Sequence, residues 1–287
     1  MAMEIGVFGA PRGALTGYLD RLRERFNAKL VFSPQRSERE KLSGLILLDA
    51  PSEEWLLELA EDGLPTLIEI PFAASLQEEA KILKALSEKN RQVIIPLYSR
   101  HNPKLLRLSS LVREGVLGKA CSIYVTAQLD SSLLREEPST QHNLSGEIVH
   151  QLINTVDFIR SLERQGNPQY RAWLLSGEVL TVDARVGDTL VTVVSQASRS
   201  LVEEAKVCIE AVGSENILVW DGTEHSLQID DGGAELRYWG LSLNDVLAQH
   251  FFELAHGMPL FSPEDIYKSY HDALKLLGRL KAVKARR

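Results

Sequence analysis

Apolar positions follow two alternating rhythms in the first part of the chain. Glu4-Ile-Gly-Val-Phe-Gly9 is a short apolar run ending in a Gly/Pro turn, and Leu15, Leu19, Leu22 and Phe26 follow at helical spacing. Lys29-Leu-Val-Phe-Ser33, Gly44-Leu-Ile-Leu-Leu48, Thr66-Leu-Ile-Glu69 and Arg91-Gln-Val-Ile-Ile95 then read as four further strands. Between them Trp55-Leu-Leu-Glu-Leu-Ala60 is helical, and Ser75 opens a helix over Leu76–Ser87 with Glu78 placed as a capping box requires. Strands alternating with helices predict a parallel sheet covered on both faces.

From about Lys119 the rhythm changes to successive strands: 121–128, 177–184, 189–196, 205–211, 216–220 and 225–229, separated by Gly, Asp and Asn. Helices interrupt them at 146–162 and close the chain at 242–256 and 263–283. The expected fold class is α/β: a nucleotide-type parallel-sheet domain over 1–118, then an α+β domain over 119–287 with a large, mostly antiparallel open sheet.

Length agrees, since 287 residues suggest about two domains at ~150 residues each. No run approaches the ~18 apolar residues of a membrane helix. Glu4 stands where a signal peptide would be basic, and the two cysteines, Cys121 and Cys208, form no CxxC, so cytoplasm is the expected location. Against 32 Lys+Arg stand 39 Asp+Glu, a net charge of −7, which disfavours nucleic acid as a partner. The basic end of the last helix, Lys275 to Arg287, reads as solvated cations at a helix C-terminus.

The first strand leads into Gly9-Ala-Pro-Arg-Gly-Ala14, where a dinucleotide site has G-x-G-x-x-G. Gly9 holds the tight-turn position, Pro11 takes the second glycine's place without an N–H, and Arg12 offers a charge to phosphate. The second strand ends Ser33-Pro-Gln-Arg36 with no carboxylate for an NAD ribose, so Ser33, Arg36 and Arg39 tilt the reading toward the 2′-phosphate of NADP. The alternative is a solvated Arg/Glu face over Glu38–Lys41.

At Glu69-Ile-Pro-Phe-Ala-Ala-Ser75 the chain resembles the Gfo/Idh/MocA family of NAD(P)-dependent oxidoreductases, whose members read E-K-P-(L/F)-A there. The resemblance continues in order through Arg100-His-Asn-Pro103, Arg113–Lys119, Gly146–His150, Gly213–Gly222, Phe251–Pro259 and Ser262–Asp265. It implies a Rossmann domain binding NADP or NAD, with Glu69, Ile70 and Pro71 at the cofactor. It also implies a small polar, sugar- or polyol-like substrate, and a homodimer or homotetramer formed through the C-terminal sheet face.

The departures bear on the chemistry. The family's Lys in E-K-P is Ile70 here, and counting from Gly146 places His150 at its Asp and Asn154 at its His. Hydride transfer to or from a carbon bearing a hydroxyl needs a group that takes the proton. His150 is the candidate acid/base, Asn154 one turn on would orient the substrate, and Tyr98 is a second possible proton donor. The competing reading is a catalytically silent relative that binds a ligand or partner. No GxSxG, HExxH, Walker A or Cys/His metal set occurs. His142, just before the 146–162 helix, could reach the cleft but reads as a solvated loop histidine; His250 and His256, six apart, are not a ligand pair, and Trp173, Trp220 and Trp239 read as core or interface.

Overall fold

The structure is a computed structural model describing residues 3–9, 14–48, 54–56, 58, 63–70, 72–73, 75–88, 92–119, 121–130, 146–162, 168–175, 179–198, 206–220, 227–230, 235–236, 243–257 and 263–284. The chain divides into two compact units, one of residues 1–101 and 241–271, the other of 102–240 and 272–287.

The first unit is built on five parallel strands: β1 (Glu4–Phe8), β2 (Lys29–Phe32), β3 (Gly44–Leu47), β4 (Thr66–Ile68) and β5 (Val93–Ile94), in the order β2-β1-β3-β4-β5. Every residue of β3 and β4 is buried, as an interior parallel strand demands, whereas the edge strand β2 exposes Lys29 and Phe32. Helix α1 (Ala14–Phe26) lays Tyr18, Leu19 and Leu22 on Ile5, Val7, Ile46 and Leu67. The same core takes Leu247, Ala248, Phe251 and Leu254 from α7 (Leu243–Ala255), so a segment from the end of the chain covers the first sheet. Between β2 and β3 only the single turn α2 (Arg36–Arg39) intervenes. Helix α3 (Leu76–Glu88) starts as its sequence predicts, with Ser75 Oγ accepting the Glu78 N–H at 3.2 Å.

Two features depart from the sequence expectation. The fifth strand shortens to two residues. A short helix α4 (Tyr98–His101) and α5 (Pro103–Glu114) follow it, and Asn102 caps α5 by accepting from the Lys104 and Leu105 N–H groups.

The second unit carries an eight-stranded sheet of β6 (Cys121–Asp130), β7 (Gln169–Leu175), β8 (Val179–Val186), β9 (Thr189–Ser198), β10 (Lys206–Gly213), β11 (Ile217–Trp220), β12 (Leu227–Asp230) and β13 (Glu235–Leu236). Its order is β13-β12-β11-β10-β6-β9-β8-β7; β6 and β9 pair in parallel and every other neighbour is antiparallel. Inward residues such as Ile123, Val125, Leu180, Val182, Val193 and Ile209 alternate with outward ones, and α6 (Gly146–Ser161) buries Ile148, Leu152, Val156 and Ile159. At the end of β10 a Cβ on Gly213 would collide with the Leu117 carbonyl, so only glycine fits. Helix α8 (Pro263–Lys284) closes the described chain. Trp220 belongs to the core, Trp173 points outward, and Trp239 lies outside the described residues.

Candidate functional site

The carboxyl edge of a parallel sheet is where strands deliver their connecting loops, and a ligand collects at the point where strand order reverses. In the first unit that point lies between β1 and β3. Gly9, just past β1, has φ +91°, a conformation glycine takes without the clash a Cβ would create. Ser33, just past β2, sits at φ +49°, and its N–H donates to the Val7 carbonyl at 2.8 Å. Gly9, Ser33, Arg36 and Glu69 therefore share one sheet edge. Pro11, Arg12 and Pro71 lie outside the described residues, as does His142.

An arginine pair lies on the same edge. The Arg39 guanidinium is 5.7 Å from the Phe8 ring centroid and 5.9 Å from that of Trp55, and those two rings meet edge to face at 4.8 Å. This holds Arg39 mostly buried while Arg36 is exposed; the Nη1 atoms of the two lie 3.8 and 3.6 Å from the Glu58 carboxylate. Two guanidiniums already gathered around one carboxylate are suited to a phosphate.

Ile70, half-buried beyond β4, offers no proton chemistry. Behind it Glu79 of α3 is 2 % exposed, and its Oε1 accepts the Phe72 N–H at 2.8 Å. Burial pushes this carboxyl up to about 7, opposed by the Phe72 amide, the Tyr270 hydroxyl and the Ala73 amide. Tyr98 opens α4, and its side chain lies outside the described residues. His101, at the end of α4, places its Nδ1 2.9 Å from His250 Nδ1 on α7 and its Nε2 3.3 Å from the Ile95 carbonyl. Burial holds the His101 imidazole well below the usual range, and the neighbouring His250 lowers it further.

In the second unit α6 presents His150 and Asn154 one turn apart, as their spacing predicts. The Asn154 Nδ2 donates to the His150 carbonyl at 2.9 Å. His150 is 6 % exposed, and among the described residues its Nδ1 has no hydrogen-bond partner. Burial pulls its imidazole down to about 4, so the ring is neutral at pH 7. Next to it Gln151, fully buried, accepts the Ser195 hydroxyl of β9 at 3.2 Å and leaves its Nε2 unpartnered among the described residues.

Glu79 and Gln151 were missing from the sequence reading of the site, although each left a trace. Glu79 interrupts the apolar stripe Leu76, Ala80, Leu83, and Gln151 the stripe Ile148, Leu152, Ile159; a polar residue on the buried face of a helix must find a partner there.

No protein-family model and no curated protein sequence matches the chain. Solved structures do match. A levoglucosan dehydrogenase in complex with NADH is similar at 15% identity and TM-score 0.71, over 98% of this chain and 97% of that one. A myo-inositol dehydrogenase from Corynebacterium glutamicum is similar at 15% identity and TM-score 0.67, over 97% and 96%. A Gfo/Idh/MocA family oxidoreductase from Vibrio cholerae is similar at 16% identity and TM-score 0.67, over 99% of both chains. The fold of this chain is the fold of those oxidoreductases.

Proposed function

We propose that this chain is an NAD(P)-dependent oxidoreductase of the Gfo/Idh/MocA type, transferring hydride between the cofactor and a hydroxyl-bearing carbon of a small sugar- or polyol-like substrate. The observation that carries the reading is a fold shared over nearly the full length with dehydrogenases, one of them an NADH complex. The residues fit a dinucleotide at its phosphate end, where Gly9 makes its positive-φ turn and Arg36 and Arg39 supply charge. In this reading residues 1–118 serve the dinucleotide and 119–287 the substrate and assembly.

The nicotinamide supplies the hydride chemistry when bound. The protein's own part is the proton. Neutral His150, with its Nδ1 unpartnered among the described residues, accepts the hydroxyl proton of the substrate, and Asn154 one turn on orients that hydroxyl. Ser33, Arg36 and Arg39 favour a 2′-phosphate, hence NADP over NAD. Glu58 must yield its place on the two guanidiniums when that phosphate arrives. Glu58→Gln is therefore expected to tighten NADPH binding by about fivefold and to leave NADH unchanged in a fluorescence titration. An equal change for both cofactors would contradict the assignment of the arginines.

One observation favours a second reading, a catalytically silent relative that binds a ligand through the same residues: Ile70 stands at the family's lysine position and His150 is far from neutral pKa. Dinucleotide binding without turnover on any polyol would favour it.

We also propose a homodimer or homotetramer built on the outer face of the eight-stranded sheet, in the cytoplasm. That face exposes Tyr124, Trp173, Leu190, Val212, Ile217 and Val219. Both cysteines are free thiols, and among the described residues no helix is long and apolar enough to cross a membrane. Light scattering is expected to give a mass of two or four chains, falling to one in Leu190→Glu/Val219→Glu; a monomeric wild type would contradict this.

A further inference from the structure

A carboxylate buried without a cation is costly to keep, and Glu79 has no ion pair among the described residues. What it does have is a set of donors from two other elements of the first unit. The Phe72 N–H reaches its Oε1 at 2.8 Å, the Ala73 amide and the Tyr270 hydroxyl of α8 favour its charged form, and the Phe72 ring, fully buried, lies 6.3 Å from that of Tyr270. Its own N–H is spent on the Ser75 carbonyl at 3.0 Å, inside the helix start. The carboxylate thus ties α3 to the backbone that follows β4. That backbone carries Glu69 and Ile70.

We propose that Glu79 is the positioning residue of the β4–α3 connection, its carboxylate fixing the backbone at Phe72 and Ala73 so that the preceding residues stay shaped to receive a dinucleotide. What the connection receives rests on the oxidoreductase reading; the anchoring itself does not. Since burial pushes this carboxyl up to about 7, the closed connection keeps the proton, and its hold weakens as the pH rises through neutrality and the buried group ionises. The groups facing the carboxylate are the Tyr270 hydroxyl from α8 and backbone amides from the connection, and its helix neighbour Glu78 is exposed.

The test is hydrogen exchange at the Phe72 and Ala73 amides, corrected for intrinsic rates, at pH 6 and pH 8, with NADPH and NADH affinities measured on the same proteins. In the wild type, protection is expected to fall about tenfold between the two pH values. In Glu79→Ala it should fall about tenfold at pH 6, and in Glu79→Gln it should lose its pH dependence. Tyr270→Phe removes one donor without opening a cavity, and it should shift the pH at which protection falls upward while the fold is kept. Cofactor affinity should fall in step with protection. Unchanged exchange in Glu79→Ala and in Tyr270→Phe would overturn the anchor. Faster exchange with unchanged affinity would overturn the role toward the dinucleotide. Faster exchange in a protein that binds no dinucleotide at all would uphold the anchor and remove the oxidoreductase reading instead.

Discussion

His150→Ala is expected to lower turnover of a polyol that the wild type oxidises by about 100-fold, with NADPH and NADH affinity unchanged. Proton transfer to a positioned base is worth about 10²–10⁴-fold, and the low end applies because an imidazole drawn down to about 4 is a weak base. The ring is nevertheless in its accepting form throughout the neutral range, and it is buried enough that bulk water does not replace it readily. The kcat/KM of the wild type should therefore be flat near pH 7 and fall only in acid, as His150 takes up a proton. Measuring kcat and KM separately distinguishes this role from simple damage to binding. Undiminished turnover in His150→Ala would remove the residue from the chemistry.

The second large effect is on stability, and two buried groups drive it in opposite directions. The Glu79 carboxyl sits at about 7 in the folded protein against 4.5 ordinarily, so the folded state holds its proton more tightly. Its contribution is fully present below pH 4.5 and is lost as the pH rises through 7. The His150 imidazole sits at about 4 against 6.5, so its contribution is fully present above pH 6.5 and is lost as the pH falls through 4. Each shift corresponds to about 3 kcal/mol over its window. Relative to the wild type, Glu79→Gln should gain about that much stability between pH 4.5 and pH 7, and His150→Gln should gain it in the reverse direction between pH 6.5 and pH 4. His101 and His250, both lowered by burial, keep adding to the acid-side loss in either variant. Urea titrations across this range read the two slopes, and parallel curves for variant and wild type would show that neither group titrates as described.

Much of this molecule is legible in its sequence because the signals are local. The apolar runs at β1, β3 and β4, the Ser75 cap and the helical spacing around His150 each depend on neighbours a few residues away, and all appear where the pattern puts them. The face shared by His150 and Asn154 was legible for the same reason. Helices α4 and α5 were not foreseen, although Asn102-Pro103 is a cap followed by a first-turn proline and could have announced the second of them. Strand β7 was missed because Gln169, Arg171 and the outward Trp173 dilute its apolar face. Pairings between distant segments leave no local mark. The parallel match of β6 with β9, the placement of Arg39 on Phe8 and Trp55, and the return of Phe251 and Leu254 to the first core all join segments far apart in sequence. The chemical state of His150 belongs to the same class, since its position is set by the helix but its pKa by everything packed around it.

The central claim is that the first unit holds a nicotinamide dinucleotide, and a fluorescence titration of the wild-type protein with NADPH and NADH tests it most directly. Saturable binding of both is predicted, tighter for NADPH. No binding of either at about millimolar concentration, where even a dissociation constant worth only ~4 kcal/mol would register, would contradict it.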